Sequence, residues 1–381
     1  MVESSNSGPL GGLKIIEFSG IGPGPLAGQL LADLGAEVIL IDRPRNTQDS
    51  REINNRNKKS IVIDLKSKGG LKVCLKLVEK SDILIEGLRP GVMERVGLDP
   101  ETCFKKNKRL IYGRITGWGQ NGALSQTAGH DINYLGLTGA LSSIGLKNTA
   151  PIPPLNLVAD YAGGTMFLIM GILSALWERN RSGAGQIVDA AMVEGVPALM
   201  GYIHNMIADG SWINKRESNL LDGGAPFYRC YQTKDGKFLA VGAIEAKFFD
   251  ELVEHTGIGN FWKDRQNNKK DWRKLTKIFS DVFKTKTRRE WENIFRNSNA
   301  CVTPVLDWNE IADYEHSKNR GIFFSQNGIL QASVAPKFSR SIPKAIKQAP
   351  LRGADSINIL QSLNFSKSEI KKLINDKAIE A

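Results

Sequence analysis

Three titratable residues of this 381-residue chain stand in settings that suit proton transfer. His130 lies in Gly129-His-Asp-Ile-Asn-Tyr134, after a glycine-rich loop (Thr116-Gly-Trp-Gly-Gln-Asn-Gly122) and where a helix is expected to begin. Asp160 ends the run Pro153-Pro-Leu-Asn-Leu-Val-Ala-Asp160, a carboxylate in apolar surroundings just ahead of a long apolar segment. Glu245 follows the strand-like run Ala240-Val-Gly-Ala-Ile. Imidazole and a carboxyl group of raised pKa are the ordinary proton carriers near neutral pH. Each residue also has a structural reading: a satisfied histidine in the first case, a helix N-cap in the other two.

Cations form a second set. Arg43 follows one apolar run, Arg89 follows another in Gly87-Leu-Arg-Pro-Gly91, and Arg95 comes soon after. Lys58, Lys59 and Lys66 flank a third. Open α/β sheets bind ligands outside the carboxyl ends of their strands, and cations collected there suit a phosphorylated ligand. The overall excess is 51 Lys+Arg against 40 Asp+Glu, a net charge of +11. Twelve Lys/Arg against five Asp/Glu fall between Lys263 and Arg296, so +7 of it lies in one helical stretch. A nucleic-acid surface would need stacking aromatics there, and only Trp272 and Trp291 are nearby, both at positions suited to a core. The stretch reads as a solvated face, with no nucleic acid as partner.

Other chemistries are disfavoured. His130, His204, His255 and His316 are far apart, and Cys74, Cys103, Cys230 and Cys301 form no C-x-x-C pair, so neither a metal tract nor a disulfide frame is expected. Gly20-Ile-Gly22-Pro-Gly24-Pro-Leu-Ala-Gly28, with Asp42 twenty residues after Gly22, imitates a dinucleotide fingerprint. Pro23 and Pro25 remove two N–H donors that a pyrophosphate would use, so no nicotinamide is expected. The segment reads as a tight strand-to-helix turn with a packing glycine, Pro25 suiting the first helical position.

The elements that must position these groups alternate between two periods. Leu13–Phe18, Glu37–Ile41, Ser60–Ile63, Asp82–Ile85 and Arg109–Ile115 read as strands; Leu26–Leu34, 68–79 and 101–107 read as helices. That alternation predicts an α/β fold with a parallel sheet covered on both faces. The apolar stretch Met166–Trp177, about 12 residues, is shorter than the roughly 20 a bilayer span needs and reads as a buried helix. Another apolar segment follows over 192–208. Ser211–Gly224 turns polar and reads as a linker, and Phe227–Ala243 as a hairpin around Lys234-Asp235-Gly236. Helices are expected at 246–256, 272–283 and 288–297, and a capped terminal helix over Ser366–Lys377. The N-terminal Met1-Val-Glu-Ser-Ser-Asn-Ser7 lacks the features of a secretory signal, and an intracellular protein is expected.

Taken together, Gly20–Pro25, Leu30–Pro44, Asp64–Lys66, Asp82–Leu98, Thr116–Gln120, Gly129–Tyr134, Pro153–Gly164, Gly185–Glu194, Asp222–Pro226, Ala240–Glu245 and Ala300–Leu306 resemble the α-methylacyl-CoA racemases of the class III CoA-transferase superfamily. The resemblance spans nearly the whole chain. It implies a Rossmann-like large CoA-binding domain over 1–205, a linker over 206–225, a smaller α/β domain over 226–320 and a C-terminal segment over 321–381 that returns to the large domain. It further implies an interlocked homodimer, with the active site between the large domain of one chain and the small domain of the other.

By the same resemblance, His130 and Asp160 exchange the α-proton of an acyl thioester on opposite faces, and Glu245 orients His130. The backbone N–H of Asp131 would hold the thioester oxygen as it becomes enolate. Gly129, Ile132, Asn133 and Tyr134 would line the site. Arg43, Ile63, Asp64, Leu65, Lys66, Gly87, Leu88, Arg89 and Arg95 match CoA-contacting segments, with Ile63 and Leu88 departing in side chain, so that contacts there would run through backbone. No cofactor beyond the substrate's own CoA, no metal and no membrane insertion are implied. The rival on the same fold is a CoA-transferase using Asp160 as a covalent nucleophile; such transferases lack the histidine. The terminus Ile379-Glu-Ala381 is not a peroxisomal address, which leaves the cytoplasm as the expected location.

Overall fold

The computed structural model describes residues 8–44, 52–343 and 345–380; Met1–Ser7 and Ala381, used above for signal and address, lie outside the described residues. The chain divides into two compact units. One comprises the residues up to Thr138, Leu155–Leu199 and those from Phe324 on; the other comprises Gly139–Pro154 and Met200–Phe323.

In the first unit the apolar runs become β1 (Lys14–Phe18), β2 (Glu37–Asp42), β3 (Lys59–Ile63), β4 (Ile83–Glu86), β5 (Ile111–Thr116) and β6 (Ile187–Ala191). Helices α1 (Pro23–Asp33), α2 (Lys68–Lys80), α3 (Val92–Arg95), α4 (Pro100–Lys106) and α5 (Asp131–Gly136) separate or follow them. The strands β1 to β6 are mutually parallel, in the spatial order β3-β2-β1-β4-β5-β6. Ile15, Ile16, Ile61, Ile63, Ile83, Leu84 and Ile85 are all at most 1% exposed, because helices cover both faces of the sheet. The order reverses between β1 and β4, the place at which open α/β sheets hold a ligand crevice outside the carboxyl ends of their strands. A C-terminal strand, Ile379–Glu380, adds antiparallel to the outer edge of β3. It is only two residues long, below what strand periodicity can reveal.

Two local readings need correction, and one strand went unread. Helix α1 starts at Pro23 rather than near Leu26, so Pro23 holds its first position and Pro25 also lies in its first turn. The apolar stretch at Met166–Trp177 is part of a longer helix: a wide π-helical segment, Leu157–Thr165, runs straight into the helix Met166–Ser182. The combined 26 residues are long and apolar enough, by length and composition, to cross a bilayer. One side of that helix is buried, through Leu168, Ile169, Ile172 and Ala175, and packs on β5 and β6. Finally, the edge strand β6, Ile187–Ala191, has an alternation that is short and half exposed.

The second unit holds a three-stranded antiparallel sheet, β7 (Tyr228–Gln232), β8 (Phe238–Gly242) and β9 (Val302–Val305), with β8 in the middle. The β7–β8 turn uses Gly236 at φ 77°, the left-handed conformation glycine adopts without strain. Helices Ala246–Thr256, Trp272–Phe283 and Arg288–Phe295 enclose a core of Phe227, Phe249, Phe279, Phe283 and Trp291 with the sheet. Trp272 and Trp291 belong to this core, and their indole N–H groups donate to Gln266 O and Phe283 O, both at 2.9 Å. Neither can stack on a base. Residues 206–225 are built into the unit rather than strung beside it: fully buried Asn219 exchanges hydrogen bonds with Ile213 and donates to Asp222.

Candidate active site

The site is assembled at the carboxyl ends of the first unit's strands. β1 runs into Gly20–Pro25, where Gly22 adopts φ 72°. A β-carbon on Gly22 would stand 3.4 Å from the Asp160 Oδ2, so this turn lies directly against the candidate carboxylate. Thr165 Oγ1 donates to Pro23 O at 2.9 Å and ties the same turn to the helix that carries Asp160.

β4 ends on buried Glu86, whose Oε2 accepts the Leu88 N–H and whose Oε1 accepts from Arg114 Nε, each at 2.8 Å. Those bonds shape the turn Gly87-Leu88-Arg89 and leave Arg89 exposed. Arg43 beyond β2, Lys66 beyond β3 and Arg95 in α3 are also exposed. None of the four makes an ion pair among the described residues. Asp64 Oδ1 accepts the Lys66 N–H at 3.0 Å and closes the turn after β3. Ile63 is fully buried, while Leu65 and Leu88 pack partly on the core, so Ile63 presents no side chain to a ligand.

Two cations read as part of this set do not belong to it. Lys58 and Lys59 stand at the amino end of β3, the wrong end for the crevice. The Lys58 ammonium is completely buried against Glu17, 2.7 Å from Oε2, and also donates to Pro25 O at 3.0 Å. Lys59 pairs with Glu37 at 3.0 Å.

The glycine-rich loop supports the candidate base. A β-carbon on Gly117 would fall 1.9 Å from the Tyr134 ring, so the loop can pass only as glycine. Trp118 meets that ring edge-on at 4.8 Å, and Trp118 Nε1 donates to Thr127 O at 3.1 Å. The Tyr134 hydroxyl donates to Gly129 O. His130 is thereby delivered, exposed, to the N-cap of α5, with its N–H donating to Asn133 Oδ1 at 3.0 Å. Ile132 and Asn133 are exposed beside it.

Asp131 turns inward. Its Oδ2 accepts the backbone N–H groups of Ala159 at 2.9 Å and Asp160 at 2.8 Å, while its Oδ1 is buried and accepts no hydrogen bond. Asp160 therefore lies within the π-helical segment, not at an N-cap, with its half-buried carboxylate reached by Asn156 Nδ2 at 3.4 Å. Burial raises the Asp160 pKa, and the Asp131 charge raises it further; the Asn156 bond and His130 oppose. The Tyr134 phenol is pushed up by burial and by the Asp160 charge and pulled down by Arg89. Electrostatic influence thus links His130 to Asp160, Asp160 to Tyr134 and Tyr134 to Arg89, all in one unit.

Glu245 lies in the second unit, exposed at the N-cap of the helix Ala246–Thr256, where its side chain makes no capping bond. Its charge, after burial, helps push the Cys301 thiol up. Sequence reasoning missed the nearness of Gly22 to Asp160, the Asn156 contact and the inward carboxylate of Asp131; only the π-helical turn brings them together. Among the described residues no group of three or more His, Cys, Asp or Glu is placed to hold a metal ion.

An exposed imidazole and a half-buried carboxylate of raised proton affinity, electrostatically coupled beside unpaired cations, can pass protons to and from an acidic carbon of an anionic ligand. Comparison with known proteins agrees with this chemistry. Over 375 residues the chain is 43% identical to the alpha-methylacyl-CoA racemase of Homo sapiens, covering 98% of each. It is 27% identical over 403 residues to the succinyl-CoA:glutarate CoA-transferase of Mus musculus, covering 98% of this chain and 90% of that one. A solved CAIB/BAIF family protein from Brucella suis superposes with a TM-score of 0.79 at 25% identity, over 94% of this chain and all of the other. Residues 10–356 match the family described as CoA-transferase family III, and the chain belongs to that family.

Proposed function

We propose that the protein interconverts the (2R) and (2S) epimers of 2-methylacyl-CoA thioesters. The observation that carries this reading is the pair formed by His130 and Asp160, on a chain 43% identical to a racemase of that substrate class. Inverting a stereocentre next to a carbonyl needs a base on one face and an acid on the other. One takes the α-proton, the electron pair moves into the thioester to give a planar enolate, and the other returns a proton to the opposite face. A carboxyl group whose proton affinity is raised toward that of an imidazole lets either partner start deprotonated.

The Asp131 N–H, at the opening of α5, is the donor for the enolate oxygen; removing such a donor typically costs about 2.7–4 kcal/mol of barrier. Arg43, Lys66, Arg89 and Arg95 bind the phosphates of CoA, while the turns at Asp64–Lys66 and Gly87–Arg89 offer backbone. The enzyme acts as an interlocked homodimer in which Glu245 of the partner subunit orients His130. It works in the cytoplasm with no metal, no nicotinamide and no cofactor beyond the CoA of the substrate.

The test is incubation of one pure epimer in deuterium oxide. Epimerisation with α-deuterium uptake is expected, and His130→Ala or Asp160→Ala should each lower it by about 10²–10⁴-fold, the usual worth of a general acid or base. Acyl exchange between CoA and a free acid, without α-deuterium uptake, would replace this reading by the CoA-transferase one, with Asp160 as nucleophile.

A further inference from the structure

We infer that the Asp131 carboxylate, and not only its backbone, serves the reaction as a positioning residue: it fixes the turn from which Asp160 projects and sets a second carboxyl group beside it. The inference rests on the proton-transfer reading of His130 and Asp160. Three observations carry it. Both N–H groups bonded by Oδ2 belong to the π-helical turn, at 2.9 and 2.8 Å, and one is that of Asp160 itself. The other oxygen, Oδ1, is buried with no hydrogen bond, on a residue only 6% exposed. Leaving a buried carboxylate oxygen unsatisfied is costly, and a purely structural clamp would do as well with a neutral amide. The carboxyl group beside it is that of Asp160.

Asp131 also follows His130 directly in the chain, so a single residue links the backbone of both proton-transfer groups. Like charges held close favour the protonated form of one of them. The groups that move the proton affinity of Asp160 are Asp131 and His130, at and before the start of α5, and the Asn156 amide; Tyr134 of α5 feels its charge in return. After burial, Asp131 is an anionic influence that raises the proton affinity of Asp160, while the Asn156 amide and His130 work against it.

The experiment uses Asp131→Asn in the full chain and follows the pH dependence of α-deuterium exchange. Asparagine keeps the shape and one acceptor oxygen but removes the charge. The acid limb of kcat/KM should move to lower pH by about half a unit to one unit, with KM for the CoA thioester changed less than twofold. Asp131→Glu, which keeps the charge and misplaces it, should lose rate without moving that limb in the same direction. An unmoved limb in a folded Asp131→Asn enzyme overturns the inference.

A second measurement does not depend on that variant folding. With carboxyl carbons of aspartate labelled in the unsubstituted enzyme, the resonance that vanishes in Asp160→Asn should show a second inflection in the acid range, as a carboxyl group coupled to another carboxyl group does. A single inflection there overturns the inference. If the unsubstituted enzyme exchanged no α-proton at all, the racemase reading would fail, yet the carbon titration would still report on the Asp131–Asp160 pair.

Discussion

Lys58 and Lys66 bracket the same strand, and their fates differ completely. Lys66 follows β3 at the crevice end, exposed and free of ion pairs among the described residues. Lys58 precedes β3 and is sealed inside, its ammonium against Glu17 and Pro25 O. A lysine beside a strand carries no meaning until the direction of that strand in the sheet is known. In a parallel sheet all carboxyl ends share one edge, so cations after strands collect at the ligand crevice. A cation before a strand meets the opposite edge, where this fold has built a buried pair instead. Burial pushes Glu17 up to about 7 despite its lysine partner, and the same burial lowers the Lys58 pKa.

The contrast can be broken by substitution. The largest effect should come from Lys58→Met, which strands a buried carboxylate: about 3–5 kcal/mol of stability, read by denaturant unfolding. The pH sign follows from linkage. Without Lys58 the Glu17 pKa rises further above its unfolded value, so the native state holds a proton that the unfolded state releases. Stability is then fully present at low pH and lost as pH rises through the folded pKa, so the deficit should deepen above pH 7. A deficit that shrinks with rising pH would mean the pair is not what holds Lys58.

Gly28→Ala sharpens the same side of the contrast. A β-carbon there would lie 1.7 Å from Glu17 Oε2 and 3.1 Å from Lys58 Nζ, so the pair must shift. The expected cost is about 1–3 kcal/mol, the usual range for overpacking a filled interior. A melting temperature equal to the parent's would show that the pair has room to move.

On the crevice side the effect should appear in binding and not in stability. Arg89→Ala is expected to raise KM for a CoA thioester by roughly tenfold, as the loss of one charge-assisted contact worth about 1.5–3 kcal/mol allows. Its melting temperature should stay near the parent's, since substitutions on open surface stay within about 0.5 kcal/mol. Lys277→Ala, in the basic stretch of the second unit and paired only with exposed Asp281, should change neither quantity. A loss of binding there would give that stretch a role in the ligand site.

Much of this was legible in the sequence because it is periodic. The apolar runs of β1 to β5 and the helices at 246–256 and 272–283 follow from spacing, since a strand buried on both faces and a helix buried on one leave different imprints. The N-cap serines and threonines of the terminal helix and of the helix at 288–295 are equally local signals. The candidate acid/base pair was visible as residue types in unusual settings, His130 after a glycine-rich loop and Asp160 in apolar surroundings. The two-residue strand at Ile379–Glu380 left no imprint, and the π-helical turn has no sequence signature of its own. The bland reading of Gly20–Gly28 as a turn was incomplete, since its neighbour across the crevice is Asp160, far away in the chain.

The sequence by itself determined which residues can carry protons and charge, that the fold is α/β, and the family to which the chain belongs. Composition raised nucleic acid as a partner for the +11 charge, and the absence of stacking residues set it aside. Only the tertiary structure decided which cations follow the strands' carboxyl ends, that Asp131 turns its carboxylate under Asp160, and that Gly22 stands beside that carboxylate. The physical reason is that side-chain chemistry is written residue by residue. Electrostatic neighbourhood is made by strand order and by one irregular helical turn, and it joins groups that the chain keeps far apart.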